Sequence, residues 1–486
     1  MATEKTVSIK ERLAYFTRGK SARICARTPW IFQVFSRAWL GLCCRPSVGV
    51  SATWSPDSKT IVYSTDSGDL YLIAVDATGN RKLASPGGDV RFISWSPDGA
   101  TIRFSKDSRF WEITSQGSNL HEVLAGWGSG SLRFAVPGRQ YAHWGGTWTA
   151  DGKFIFKSDS QIFVLDERRS LLRNKAAKPV QITSGPINWE RAIPSKDGKK
   201  IFASGAIHRG ELLRFDTTSG HLVPFLGGIS AQSVSFSKDS RFVSYVSYLE
   251  EILWRANQDG SNPVQLTDSS MTPRLPRWSP DGDQVLFVDF APGGMSAIYT
   301  IPSQGGSRPK RLMPEEVEPQ TDPSWSPDGK SLAFSNSREG DENPKSELRI
   351  LDMASCKVTT VPDSRGLFAP RWSPDGRSVV AETQDAMSLR RFDVATGFWS
   401  LLFSGPVGYA SWSHDSRYIY SIQWRGDRDV VRIRAADDNA VRVVDLSDQR
   451  DTVLDVPWIG LDPTDAPLMM REIGTLDFYA LTLDKK

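Results

Sequence analysis

The residues whose types could do chemistry are few and widely spaced in this 486-residue chain. Its five histidines, His121, His143, His208, His221 and His414, fall in different parts of the sequence, and no H-E-x-x-H pair sets two of them on one face. No G-x-S-x-G elbow occurs, and "GWGSGS" at 126–131 has the wrong spacing for one. Neither a phosphate-cradling G-x-x-x-x-G-K-[ST] nor a dinucleotide G-x-G-x-x-G is present. Aspartate is concentrated in the phrase W-S-P-D-G, which lacks the alternating ligands of a calcium loop. Three cysteines, Cys25, Cys43 and Cys44, crowd the first 44 residues, and Cys356 stands alone in a turn. With no C-x-x-C pair, the sequence predicts no metal, no cofactor and no catalytic set.

Two irregular stretches carry residues suited to binding instead. "GWGSGSLRFAVPGRQYAHWGG" at 126–146 gathers Trp127, Arg139, Tyr141, His143 and Trp144 between glycines, a composition typical of partner-binding loops. "SREGDENPKSE" at 337–347 is charged and reads as a solvated hairpin tip.

The elements that position these residues follow from a repeat. Aligning on the phrase gives anchors at Trp54, Trp95, Trp148, Pro194, Phe236, Trp278, Trp325, Trp372, Trp412 and, in degenerate form, Leu461. The mean spacing is about 45 residues, the period of propeller blades. After each anchor come alternating polar and apolar residues, as in "SKTIVYS", then "DLYLIAVD", a Gly-bearing turn and a further short strand. One unit therefore predicts one antiparallel four-stranded sheet, and such sheets bury both faces by stacking radially. The fold expected is all-β: about ten four-stranded units, arranged as a C-terminal ring of about seven blades over 187–486 and a partial or second ring over 51–186.

Within the phrase, Pro presets the first corner of a turn, and aspartates such as Asp57, Asp98, Asp281, Asp328 and Asp375 accept nearby backbone N–H groups. The preceding tryptophan fills the wedge between neighbouring sheets, burying about 150–250 Å². The phrase accordingly reads as scaffolding.

Net charge is +3, split into +7 over residues 1–50 and −4 over the remainder, which argues against a nucleic-acid surface on the body. "PWIFQVFSRAWLGLCC" at 29–44 is the most apolar run, but it is shorter than the ~20 residues of a span and Arg37 interrupts it. No confident membrane span or signal peptide is read there. Residues 1–50 form a basic irregular segment, which its composition suggests is a mis-started or truncated copy of an upstream blade.

The unit resembles the repeat of TolB-type β-propellers. "PVQITSGPINW", "RGELLRFD", "GLFAPRWSPDGRSVVAET" and "WIGLDPTDAPLMMREIGTLDFYALTLD" further resemble the propeller part of bacterial winged-helix regulator-like proteins, over roughly 51–486. In that family a DNA-binding domain and a membrane span precede a sensory propeller. Residues 1–50 carry no winged helix, so no nucleic acid is expected to bind this chain. The resemblance implies a monomeric, non-enzymatic module that binds a protein, peptide or small ligand as sensor or scaffold. It implies a periplasmic place if the chain is tethered as in that family, and a cytoplasmic one if the chain is complete. Two alternatives stay open: the propeller portion of a prolyl-oligopeptidase-type peptidase, although the chain ends after the tenth unit, and a periplasmic TolB-like envelope factor.

Overall fold

Wherever the phrase occurs it closes the turn between the first two strands of a sheet. In the unit anchored on Trp325, Ser326 Oγ donates to Asp328 Oδ1 at 2.6 Å and accepts the Ser331 N–H at 2.9 Å. Asp328 Oδ1 also accepts the Lys330 N–H at 3.1 Å, and Gly329 takes a φ of 72°, where glycine is strain-free. The same Ser–Asp bond recurs at Ser55–Asp57, Ser96–Asp98, Ser279–Asp281 and Ser373–Asp375. The serine bond, first among the causes, and the backbone donors hold Asp57, Asp98, Asp281 and Asp328 below the usual carboxylate range. The phrase is a hydrogen-bonded turn, as its composition implies.

A computed structural model describes residues 49–107, 109–127, 145–158, 160–167, 178–290, 295–336, 346–425, 427–447, 449 and 458–482. Its described residues are strands and turns, with one short 3-10 turn at Leu226–Gly228, and its strands form ten antiparallel sheets. Two compact units divide them: described residues within 49–127, 145–204 and 478–482 form one, and those within 205–477 form the other.

In the first unit, sheets begin at the strands Gly49–Trp54, Val90–Trp95 and Gly146–Trp148, each with four strands in sequence order. A fourth, three-stranded sheet orders Asn188–Pro194, Lys200–Ile207 and Thr475–Thr482. Three apolar clusters join successive sheets, centred on Val62 and Phe104, on Phe110 and Phe156, and on Trp189 and Ile162. Trp54 is 49% exposed, because among the described residues no sheet packs against its outer side.

The second unit is a closed ring of six four-stranded sheets. Blade one combines His221–Pro224 and Gly210–Asp216 with the C-terminal strands Pro467–Glu472 and Ile459–Leu461. Blades two to six run in sequence order, starting at the inner strands Ala231–Phe236, Pro273–Trp278, Thr321–Trp325, Leu367–Trp372 and Val407–Trp412. Each neighbouring pair has its own apolar cluster, and the last of these, around Ile422, Leu213 and Met469, joins blade six back to blade one. Trp278, 7% exposed, fills its wedge, and its indole donates to the Ser235 carbonyl of the preceding blade at 3.1 Å.

The division differs from the expected boundary near Ile187 and ring of about seven units. The fourth repeat, which reads as one sheet, is split between the two units. Its first two strands lie in the three-stranded sheet, and its last two become the outer half of blade one. Closure explains this: a ring whose first blade borrows strands from the chain's end leaves no sheet edge open. Register is Gly210↔Glu472, Leu212↔Met470 and Arg214↔Leu468. Glu472 locks it, with Oε1 accepting the N–H groups of Arg209 and Gly474 at 2.7 Å each and Oε2 accepting the Tyr248 hydroxyl at 2.7 Å.

Candidate ligand site on the axis of the ring

The innermost strand of every blade is an edge strand, with one row of backbone groups turned to the ring's axis. Prolines sit there at Pro273, Pro276, Pro323 and Pro370, where no ladder partner needs their missing N–H. Each inner strand of blades two to six also bulges. The residue three before the anchor takes a left-handed conformation: Ser233, Leu275, Asp322, Ala369 and Tyr409, with φ of 50–56°. The ladder register shifts at the same places. Bulges of this kind re-aim side chains at a cost of order 1–3 kcal/mol each.

The residue just before the anchor shares one level in all six blades. It is Ser235, Ser324 and Ser411 in three and Gly460 in blade one, but Arg277 and Arg371 in blades three and five. Both arginines fold back so that Nη1 donates to the carbonyl of the preceding proline, at 3.0 Å for Arg277–Pro276 and 2.9 Å for Arg371–Pro370. That carbonyl belongs to the edge strand, which places the guanidinium at the inner rim.

The two arginines have different partners. Arg371, 8% exposed, donates from Nη2 to Asp322 Oδ1 of blade four at 3.0 Å. Among the described residues Arg277 has no carboxylate within ion-pairing distance, and its acceptor there is the Pro276 carbonyl. Burial, then repulsion from Arg371 two blades away, pulls its pKa down to about 9, with Asp322 opposing. A guanidinium remains charged at neutral pH at that value. Its sensing Arg371 across an intervening blade puts both heads near the common axis. Some of its surface is still reached by solvent, as expected for a side chain lining a lumen.

Glu382, on the second strand of blade five, completes the cluster. It is 3% exposed and accepts the Ala410 N–H of blade six at 3.0 Å through Oε1. Burial pushes its pKa up to about 7, against the pull of that N–H and of Arg371. Arg274, on the same inner strand as Arg277, pairs with Glu251 from the connection between the second and third strands of blade two. Gln232, on that blade's inner strand, has a buried Nε2 with no hydrogen-bond partner among the described residues. Of the three arginines on these inner strands, Arg274 and Arg371 have carboxylate partners and Arg277 has none among the described residues.

The residues singled out from sequence fall elsewhere. Trp127 is half-buried, edge-on to Phe163 at 5.0 Å and to Phe156 at 6.1 Å, and so packs on its own unit's core. Arg139, Tyr141, His143 and Trp144 lie outside the described residues, as do 337–345 of the charged insertion and residues 1–48. His414 pairs through Nδ1 with Asp465 Oδ1 at 2.6 Å, joining the blade-six turn to that of "GLDPTDA". Among the described residues no group of three His, Cys, Asp or Glu is placed to hold a metal ion, and no helix is long and apolar enough to cross a membrane. The signal that sequence reading passed over is the pair of "PRW" triplets, Pro276–Trp278 and Pro370–Trp372, where other units have a small residue before the anchor.

Residues 230–453 match the family model described as "TolB beta propeller domain". The ring that contains them is a TolB-like β-propeller. Among solved structures, one described as a TolB from Agrobacterium tumefaciens is 20% identical, with 55% of this chain and 99% of that chain covered and a TM-score of 0.45. TolB from Acinetobacter baumannii is 15% identical over 70% of this chain and 82% of that chain, with a TM-score of 0.38. An oligogalacturonate lyase in complex with manganese is 12% identical over 80% of this chain and 98% of that chain, with a TM-score of 0.32. No curated protein matches.

Proposed function

We propose that this chain is a non-enzymatic TolB-like propeller that binds a protein or peptide as a sensory or scaffold module, and that recognition uses the axis of the closed ring. The supporting observation is Arg277, a guanidinium held at the inner rim of the ring with no carboxylate partner among the described residues. A fold gains nothing from such a group unless something outside the chain completes it. Resemblance to regulator-like propellers supports the sensory role. The family match over 230–453 favours a second reading, a periplasmic TolB-like envelope factor.

The test places a bulky residue at the arginines' level, Ser411→Trp, with circular dichroism to confirm folding. Partner proteins captured by the wild type and identified by mass spectrometry are then titrated individually. At least tenfold weaker binding to the variant supports recognition on the axis, and equal binding overturns it. Turnover of peptide or glycan substrates in proportion to protein would overturn the non-enzymatic reading. Co-fractionation of the native protein with periplasmic markers separates the envelope factor from a cytoplasmic module.

A further inference from the structure

The ligand group that this axis takes follows from what Arg277 lacks. Arg371 and Asp322 bond each other, and Arg274 and Glu251 do the same, which leaves one positive charge uncompensated. With Nη1 on the Pro276 carbonyl, Arg277 keeps Nε and Nη2 for a ligand, the two-pronged side that fits a carboxylate. Room at that level comes from Ser235, Ser324, Ser411 and Gly460, small side chains in the four blades that lack an arginine there. Asp322 and Glu382 beside the arginines disfavour a doubly charged phosphate, since each brings a carboxyl group toward the same anion.

We propose that Arg277, flanked by the Arg371–Asp322 pair and Glu382, is a binding site for a single carboxylate carried on an extended chain, such as the free C-terminus of a peptide. This rests on the reading of the axis as the recognition surface, and it names the group recognised there.

The test uses the full chain and three probes: butyrate, inorganic phosphate, and the peptide Gly-Gly-Leu with a free or an amidated C-terminus. Thermal midpoints and calorimetric titration are read for the wild type, Arg277→Gln and Arg241→Gln. The last removes an exposed arginine from a phrase turn and controls for general charge. Expected are a raised midpoint with butyrate in the wild type and Arg241→Gln but not in Arg277→Gln, and at least tenfold tighter binding of the free peptide than of its amide. Without ligand, Arg277→Gln should melt a few degrees higher, since it removes the repulsion with Arg371. A lower midpoint would make Arg277 a structural residue and overturn the site. Equal responses of wild type and Arg277→Gln, no response in the wild type, or phosphate binding better than butyrate would each overturn the carboxylate assignment. The Ser411→Trp experiment with protein partners stands apart from these outcomes, so recognition on the axis can survive a failure here.

Discussion

Glu382 is a carboxyl group kept from water and opposed by Asp322, with Arg371 and the N–H groups of Tyr409 and Ala410 to favour its charge. Its folded pKa, about 7, lies above the ordinary 4.5, so the folded protein binds this proton more tightly than the unfolded chain does. Stability from this group is therefore full below about pH 4.5 and is lost as pH rises to about 7, by about 3 kcal/mol in all. Glu382→Gln keeps an acceptor for the Ala410 N–H and removes the proton. In urea unfolding at pH 5, 6, 7 and 8, the variant should gain on the wild type by that order across the window. A difference between the two that stays constant with pH would sink the account. Neither Glu382 nor Arg277 announces itself in the sequence: "VVAET" reads as an ordinary strand, and an arginine before a tryptophan reads as an alternating solvent position. Only the ring's closure turns those positions inward. The phrase turns, by contrast, were legible because their Ser–Pro–Asp chemistry acts within five residues.

The inner strand is the element in which local pattern and structure part company. Its left-handed residues are Leu275, Asp322, Ala369 and their equivalents, none a glycine, so no conformational signature marks the bulge. The bulge exists because edge strands converging on an axis must bend, and the ladder constrains them from one side only. Ala369 (φ 50°) and Ala381 are both buried in blade five, and Ala381 stands in the regular ladder beside it. Ala381→Gly should cost about 1 kcal/mol or more through chain entropy and lost contact. Ala369→Gly should fall within about 0.5 kcal/mol of the wild type, because relief of the left-handed strain offsets those losses. Equal losses in denaturant titrations of the two variants would mean that the bulge is unstrained. Eight of the ten sheets among the described residues are readable from alternation and period, since each of their strands pairs within a few dozen residues.

At the scale of the molecule, the long-range pairing of blade one is what the sequence hides. The fourth repeat looks like its neighbours, and no local residue reveals that its strands belong to different sheets. The clasp at Glu472 holds that pairing. Burial disfavours its charge, but the donors His208, Arg209, Tyr248 and Gly474 outweigh burial and hold its pKa below 4.5. The stability this gives is present above that value and is lost as pH falls through the lowered folded pKa. Glu472→Gln should cost about 1–3 kcal/mol at pH 7, and less as acid protonates the wild type. Thermal unfolding at pH 7 and pH 4 reads this directly, and a cost that is the same at both would refute the clasp.

The borrowed strands also set an order in time. Blades two to six are each made of consecutive strands, and each can pair as soon as its own residues leave the ribosome. Gly210–Asp216 is synthesised some 250 residues before its partner Pro467–Glu472. Until that partner arrives, the strand keeps one edge bare, and so does blade six on its outer face. The growing chain is therefore an open arc until residues 459–472 are made, and only then becomes a ring.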